Sequence, residues 1–244
     1  MKHFVIFTLI AASALGQQAT RLNARELFYT SPPPAADANK KKEDKNKADS
    51  THRVDLPAPL GLRYAVLKRD SAGVYREVDP DATFRSGDSI RIQVEANSPG
   101  YLYVVTQGAS GQWCVLFPRP GVANAAHRIA ARVKIQLPNE EGAWRFDERP
   151  GTEKLFLLLA RQPAADLDKL VAANGSDGCA QSAILTTAVT RIRQQMSSRD
   201  LVYEKVDETT NDASAVKNET AAYVVTTNPA ADARVVRDFS LQHR

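Results

Sequence analysis

Two cysteines and four histidines are all the soft-sulfur and imidazole side chains that 244 residues supply. No pair of His, Cys or carboxylate residues stands at a recognised ligand spacing, so the sequence carries no metal site of a known type. It also lacks a Gly-rich phosphate loop and a Gly-x-Ser-x-Gly elbow, which removes the nucleotide-binding and α/β-hydrolase signatures and leaves no call for a cofactor. His127 and His243 are the bases within the body of the chain, with His52 at its edge, and none adjoins a nucleophile motif. No catalytic residue is assigned. A concentrated positive charge is missing too. Eight of the 32 Lys/Arg and five of the 28 Asp/Glu precede Arg53, so the remainder is within one charge of neutral. That excludes the basic patch expected of a nucleic-acid binder. No internal repeat is present.

Long apolar runs are equally scarce. The one at the start, Phe4 to Leu15, follows Met1-Lys2-His3 and ends in Ala14-Leu15-Gly16. At about 12 residues it is too short to span a bilayer, and its basic, apolar and small-residue parts are those of a secretory signal peptide. Residues 1–16 are therefore expected to be a signal removed after Gly16, giving a mature chain that starts at Gln17, is periplasmic or secreted, and has no transmembrane segment. Residues 17–59 contain Pro32-Pro33-Pro34 and the mixed charge run Lys40 to Lys47, too polar to offset the entropy of ordering, and are expected to form a disordered linker. Within it Ala24-Arg25-Glu26-Leu27-Phe28-Tyr29 is an apolar island, either a short docking segment or residual apolar sequence.

From Leu60 the pattern becomes short β-type runs separated by turn residues. Leu62 to Lys68 and Val74 to Val78 flank Asp70-Ser71-Ala72-Gly73, a hairpin turn. Ser89 to Ala96 alternates, with Ile90, Ile92, Val94 and Ala96 on one face. The turns Asn97-Ser98-Pro99-Gly100 and Gly108-Ala109-Ser110-Gly111 predict that this run, Tyr101 to Thr106 and Gln112 to Phe117 form a three-strand meander. Val133 to Leu137, Trp144 to Phe146, Lys154 to Ala160 (apolar on both sides, hence central) and Leu201 to Val206 add strands. Tyr223 to Thr227 and Arg234 to Leu241 predict a last hairpin through Asn228-Pro229. Two helices interrupt the set, Ala164 to Asn174 behind Pro163 and Ser182 to about Met196, each with an apolar stripe that covers a sheet. The fold expected over residues 60–244 is thus mainly β, an antiparallel sandwich-like or meander sheet with two peripheral helices, supported by an apolar fraction of 43%.

Four ordered segments, Phe84-Arg85-Ser86-Gly87-Asp88, Asn97-Ser98-Pro99-Gly100-Tyr101-Leu102-Tyr103, Leu116-Phe117-Pro118 and Pro150-Gly151-Thr152-Glu153-Lys154-Leu155, resemble the bacterial domain of unknown function 4384 family over roughly residues 62–165. The resemblance implies an extracytoplasmic or accessory β domain without an established activity of its own. The sequence departs from that pattern at Arg119 and over His127-Arg128-Ile129-Ala130-Ala131.

Two functional classes follow. The first is a non-catalytic binding or scaffolding module of the envelope, contacting a protein or a cell-envelope polymer, with Tyr101, Tyr103, Trp113 and Trp144 as candidate contact aromatics unless they serve packing. The second is a hydrolase of unrecognised type acting on such a polymer, for which Glu140, Glu141, Glu148 and Glu153 are the available loop carboxylates. Export also places Cys114 and Cys179 in an oxidising compartment, where they pair as a disulfide unless Cys114 is a buried, unpaired strand residue.

Overall fold

The computed structural model describes residues 23–30, 58–108, 111–119, 127–139, 141–173, 179–180, 182–195, 201–208 and 219–244. The signal segment, its cleavage point, most of the linker, His52, Glu140 and loop residues 209–218 lie outside the described residues. In chain order the elements are α1 (Ala24–Thr30), β1 (Leu60–Arg69), β2 (Tyr75–Val78), β3 (Thr83–Phe84), β4 (Ser89–Ala96) and β5 (Gly100–Gln107). They continue with β6 (Trp113–Phe117), β7 (Arg128–Ile129), β8 (Ile135–Leu137), β9 (Trp144–Arg145) and β10 (Gly151–Ala160). The last are α2 (Ala165–Ala173), β11 (Cys179–Ala180), α3 (Ser182–Gln195), β12 (Leu201–Glu208), β13 (Glu219–Thr226) and β14 (Arg234–His243).

The protein is mainly β, two sheets packed face to face. The first has the order β12-β13-β1-β4-β8, with β2 paired to β1 and β9 to β4; the second has β11-β6-β5-β10-β14-β3, with β7 paired to β5. Period-two alternation sets which residues meet between them. Leu62, Tyr64 and Val66 of β1, Ile92 and Val94 of β4, and Ala222 and Val224 of β13 face Leu102 and Val104 of β5, Leu155, Leu157 and Leu159 of β10, and Phe239 of β14 in one buried core. Each such apolar side chain contributes about 1.5–3 kcal/mol on burial.

Both outer faces are covered as well, which explains why β1, β10 and β13 are apolar on both sides. Tyr103, Val105, Phe156 and Leu158 on the outside of the second sheet pack under Leu167 of α2 and Val189 and Ile192 of α3. β10 is central, with β5 and β14 on either side over residues 154–160, as its two-sided apolar run predicts.

Three sequence expectations are corrected. The meander is broken, because β4 belongs to the first sheet and β5 to the second, while the β5–β6 hairpin stands. The turn between β4 and β5 is a corner. Asn97 is fully buried there, its Oδ1 accepting the Gly61 N–H at 2.6 Å and its Nδ2 donating to the Pro59 carbonyl at 2.8 Å. Gly100 enters the second sheet so close to β10 that a Cβ would lie 2.8 Å from the Ala160 carbonyl oxygen. The final hairpin fails likewise, since β13 pairs with β1 and β12 whereas β14 pairs with β10. Finally, the linker is not uniformly without structure. Its apolar island is α1, packed on the outer face of the first sheet with Ala24 and Phe28 fully buried. A single turn carrying a small residue and an aromatic four positions on presents one continuous apolar edge, which is enough when the receiving face is preformed.

Candidate functional site

A cleft of about 220 Å³ opens between the two sheets. Ile90, Phe146, Leu155 and Leu241 line it as buried residues, and half-buried Trp144 and Leu116 complete its apolar wall. Asp147 and Arg145 are exposed at its rim, with Glu153 and Thr106 partly so. Strand geometry assembles this wall. Trp144 and Phe146 are two apart on an extended segment and so fall on the same side, with Ile90 opposite Trp144 in the β4–β9 register. Asp147 is fixed by the Arg149 N–H, which donates to its Oδ1 at 2.9 Å, and lies 3.7 Å from Nε2 of His243. His243 is itself buried against the Phe146 ring, 4.8 Å between centroids, with no hydrogen-bond partner on either ring nitrogen. The cleft is smaller than the roughly 300–1,000 Å³ that enclose a whole small ligand, so it fits one ring or one side chain of something larger.

The other named aromatics lie elsewhere. Tyr103 and Trp113 are buried in the layer between the second sheet and α2 and α3, with Tyr101 half-buried against the same cluster. As contact residues Tyr103 and Trp113 are corrected: the strand register turns them under the helices. Of the four, Trp144 alone lines the cleft. Phe146 and Asp147 were missed, although the Trp144-x-Phe146 spacing already puts two rings side by side.

His127 and His243 fall in separate clusters. The Tyr103 hydroxyl donates to Oδ1 of Asp168 at 2.7 Å and accepts the Ala164 N–H at 2.9 Å, so its 3.0 Å contact with Nε2 of buried His127 is made by the imidazole N–H donating. Burial holds the His127 pKa below 6.5, against the opposing pull of Asp168. Every group in this trio is used to fasten α2 to the sheet, which is structural work. Among the carboxylates, Glu141 and Glu148 are exposed and Glu153 reaches the cleft, where its acidic companion is Asp147. Cys114 on β6 is disulfide-bonded, and Cys179 of β11 stands opposite it in antiparallel register in a chain with no third cysteine. No group of three or more His, Cys, Asp or Glu able to hold a metal occurs among the described residues.

Residues 83–163 match the family model described as Domain of unknown function (DUF4384). This segment is a DUF4384 domain. All cleft-lining residues except Leu241 lie inside it. The DUF4384 segment does not contain the whole sandwich, because β1 and β13 of the first sheet and β14 of the second fall outside it. No curated protein and no solved structure matches the chain.

Proposed function

We propose that the protein is a non-catalytic binding module of the bacterial envelope, exported by its N-terminal signal, that seats one ring or side chain of a cell-envelope polymer or protein in the Trp144 cleft. The observation that carries this reading is convergence: the segments around Leu116 and Glu153, two of the four that carry the family resemblance, line one apolar cleft rimmed by Asp147, Glu153 and Arg145, and a third, ending at Asp88, is hydrogen-bonded to the backbone of the cleft residue Phe146. An aromatic wall with carboxylates at the mouth suits a sugar ring stacked on Trp144, or an apolar group bearing a cation. Peptidoglycan disaccharide-peptide fragments are the probe of choice. In a Trp113→Phe background, Trp144 becomes the sole tryptophan and its fluorescence should report binding, while Trp144→Ala should weaken affinity tenfold or more. Unchanged affinity in Trp144→Ala would remove the cleft from the account.

A second reading, a hydrolase acting on such polymers, draws on Asp147 and Glu153 lining the same cleft. Glu153→Gln discriminates the two: a hydrolase loses turnover of the fragments, whereas a binding module has no turnover to lose.

A further inference from the structure

A second concavity, a polar hollow of about 510 Å³, lies where the β1–β2 turn meets the segment leading into β4. Strand register places its cations. Antiparallel pairing sets Lys68 opposite Ile90 and Ser89 opposite Arg145, so one step further along the β1–β4 ladder Arg69 falls beside Ser89. Neighbouring strands run about 4.8 Å apart, which stands the Arg69 and Arg145 backbones roughly 10 Å from each other with Ser89 between them. Ile90 belongs to the core between the sheets, and alternation therefore turns this Arg-Ser-Arg row to the outer face.

Both guanidinium groups lie over glycines. A Cβ at Gly73 would come 3.2 Å from Arg69 Nη2, and one at Gly87 would come 3.4 Å from Arg145 Nη2. Both glycines have positive φ, 83° and 88°, so a side chain at either would be strained as well as crowded. The hollow also contains two carboxylates, and each already has its own cation. Asp70 accepts the Ala72 and Val74 N–H groups and pairs with Arg76 at 2.8 Å. Asp88 accepts the Arg85 N–H and pairs with Lys68 at 2.5 Å. No carboxylate among the described residues pairs with Arg69 or Arg145, and the Arg69 side chain makes only a long bond from Nε to the Gly73 carbonyl at 3.4 Å. Two positive charges are left over.

Guanidinium groups that flank a serine from two sides suit an anion with oxygens on more than one side. A carboxylate presents two oxygens in one plane, which a single Arg satisfies bidentately. A phosphate group presents three acceptor oxygens arranged tetrahedrally, enough for both arginines and the Ser89 hydroxyl together. We propose that Arg69, Ser89 and Arg145 form a binding site for a phosphate group. The site is open to solvent, where an ion pair is worth at most about fivefold in affinity, so the free ion binds weakly and a larger carrier adds contacts of its own. It does not rest on the Trp144 cleft, although Arg145 borders both concavities.

The test titrates inorganic phosphate into the full chain at constant ionic strength and follows NMR shifts. The Gly73 and Gly87 amides and the Nε–H signals of Arg69 and Arg145 should move along one saturable curve, and acetate should not compete. Arg69→Gln and Arg145→Gln should each weaken binding about three- to fivefold. Lys154→Gln, which removes the same charge from an exposed position on the second sheet, should leave it unchanged. Trp144→Ala should also leave it unchanged, so failure of this site and failure of the cleft are separate results. Phosphatidylcholine vesicles with and without phosphatidic acid, set against soluble glycerol phosphate, tell a lipid headgroup from a soluble ester: whichever is held more tightly, and released by Arg69→Gln, is the carrier. Shifts that stay linear in phosphate, equal affinity for acetate, or a Lys154→Gln effect as large as that of Arg69→Gln overturns the proposal.

Discussion

At the scale of single residues, buried polar groups give the clearest expectations. Arg63 is 2% exposed on the outer face of the first sheet and bonds Glu77 at 2.7 Å and Glu219 at 2.8 Å. Burial alone would lower its pKa, but the two carboxylates outweigh it and keep the guanidinium charged. Replacing Arg63 by Ala strands two acids beside α1 and should cost about 3–5 kcal/mol in urea unfolding. His127 gives a pH dependence of determined sign. Its folded pKa lies below the 6.5 of the unfolded chain, so the unfolded state binds the proton first. Its contribution is complete above about pH 6.5 and is lost as pH falls toward the folded value. Urea midpoints at pH 5 and 7.5 should differ less in His127→Gln than in the wild type; an identical difference would show that His127 does not set the slope. Tyr103→Phe leaves the Ala164 N–H and Asp168 without their shared partner and should cost about 1–3 kcal/mol at either pH.

At the scale of elements, what could be read from the sequence was what local chemistry decides. The β1–β2 hairpin was legible because Asp70 satisfies its own turn, accepting the N–H groups of Ala72 and Val74 at 2.9 and 2.8 Å. Helices α2 and α3 were legible from Pro163, Ser182 and their apolar stripes. The β4–β5 corner was not, since Asn97 takes its partners from Gly61 and Pro59, far back in the chain, and a turn signal does not say which sheet the next strand joins. Asn97→Ala should therefore destabilise by about 1–3 kcal/mol although it lies in a connection. The cleft was half legible: Trp144 stood out as an aromatic, but its apposition to Ile90 and Leu241 depends on pairing between distant strands. The docking of α1 was one of two readings, because a seat made of Gly61 and Ala65 carries no sequence signal of what fills it. Glu219 adds an acid response to this element. Burial would raise its pKa, but Tyr223, Arg63 and Arg25 hold it below 4.5. That stabilisation is present above about pH 4.5 and fades below it, so α1 amides should lose exchange protection on acidification before those of the central strands do.

At the scale of the whole molecule, the Cys114 disulfide ties β6 to a segment beyond α2. With Cys179 as the other cysteine it closes a loop of about 65 residues, worth roughly 4 kcal/mol in the chain-entropy model. Reduction should lower the urea midpoint accordingly with the slope nearly unchanged, and a loss under about 1 kcal/mol would show that the sheet alone holds β11. The two sheets also close late in another sense. β14, the last strand in chain order, fills the position between β10 and β3, and its Gln242 and His243 lie opposite Thr83 and Phe84. A chain emerging from its N-terminus during synthesis holds β10 with one neighbour missing until residues 234–243 arrive. Assembly of the second sheet is thus gated by a strand that follows β10 only after α2, β11, α3, β12 and β13 have been made.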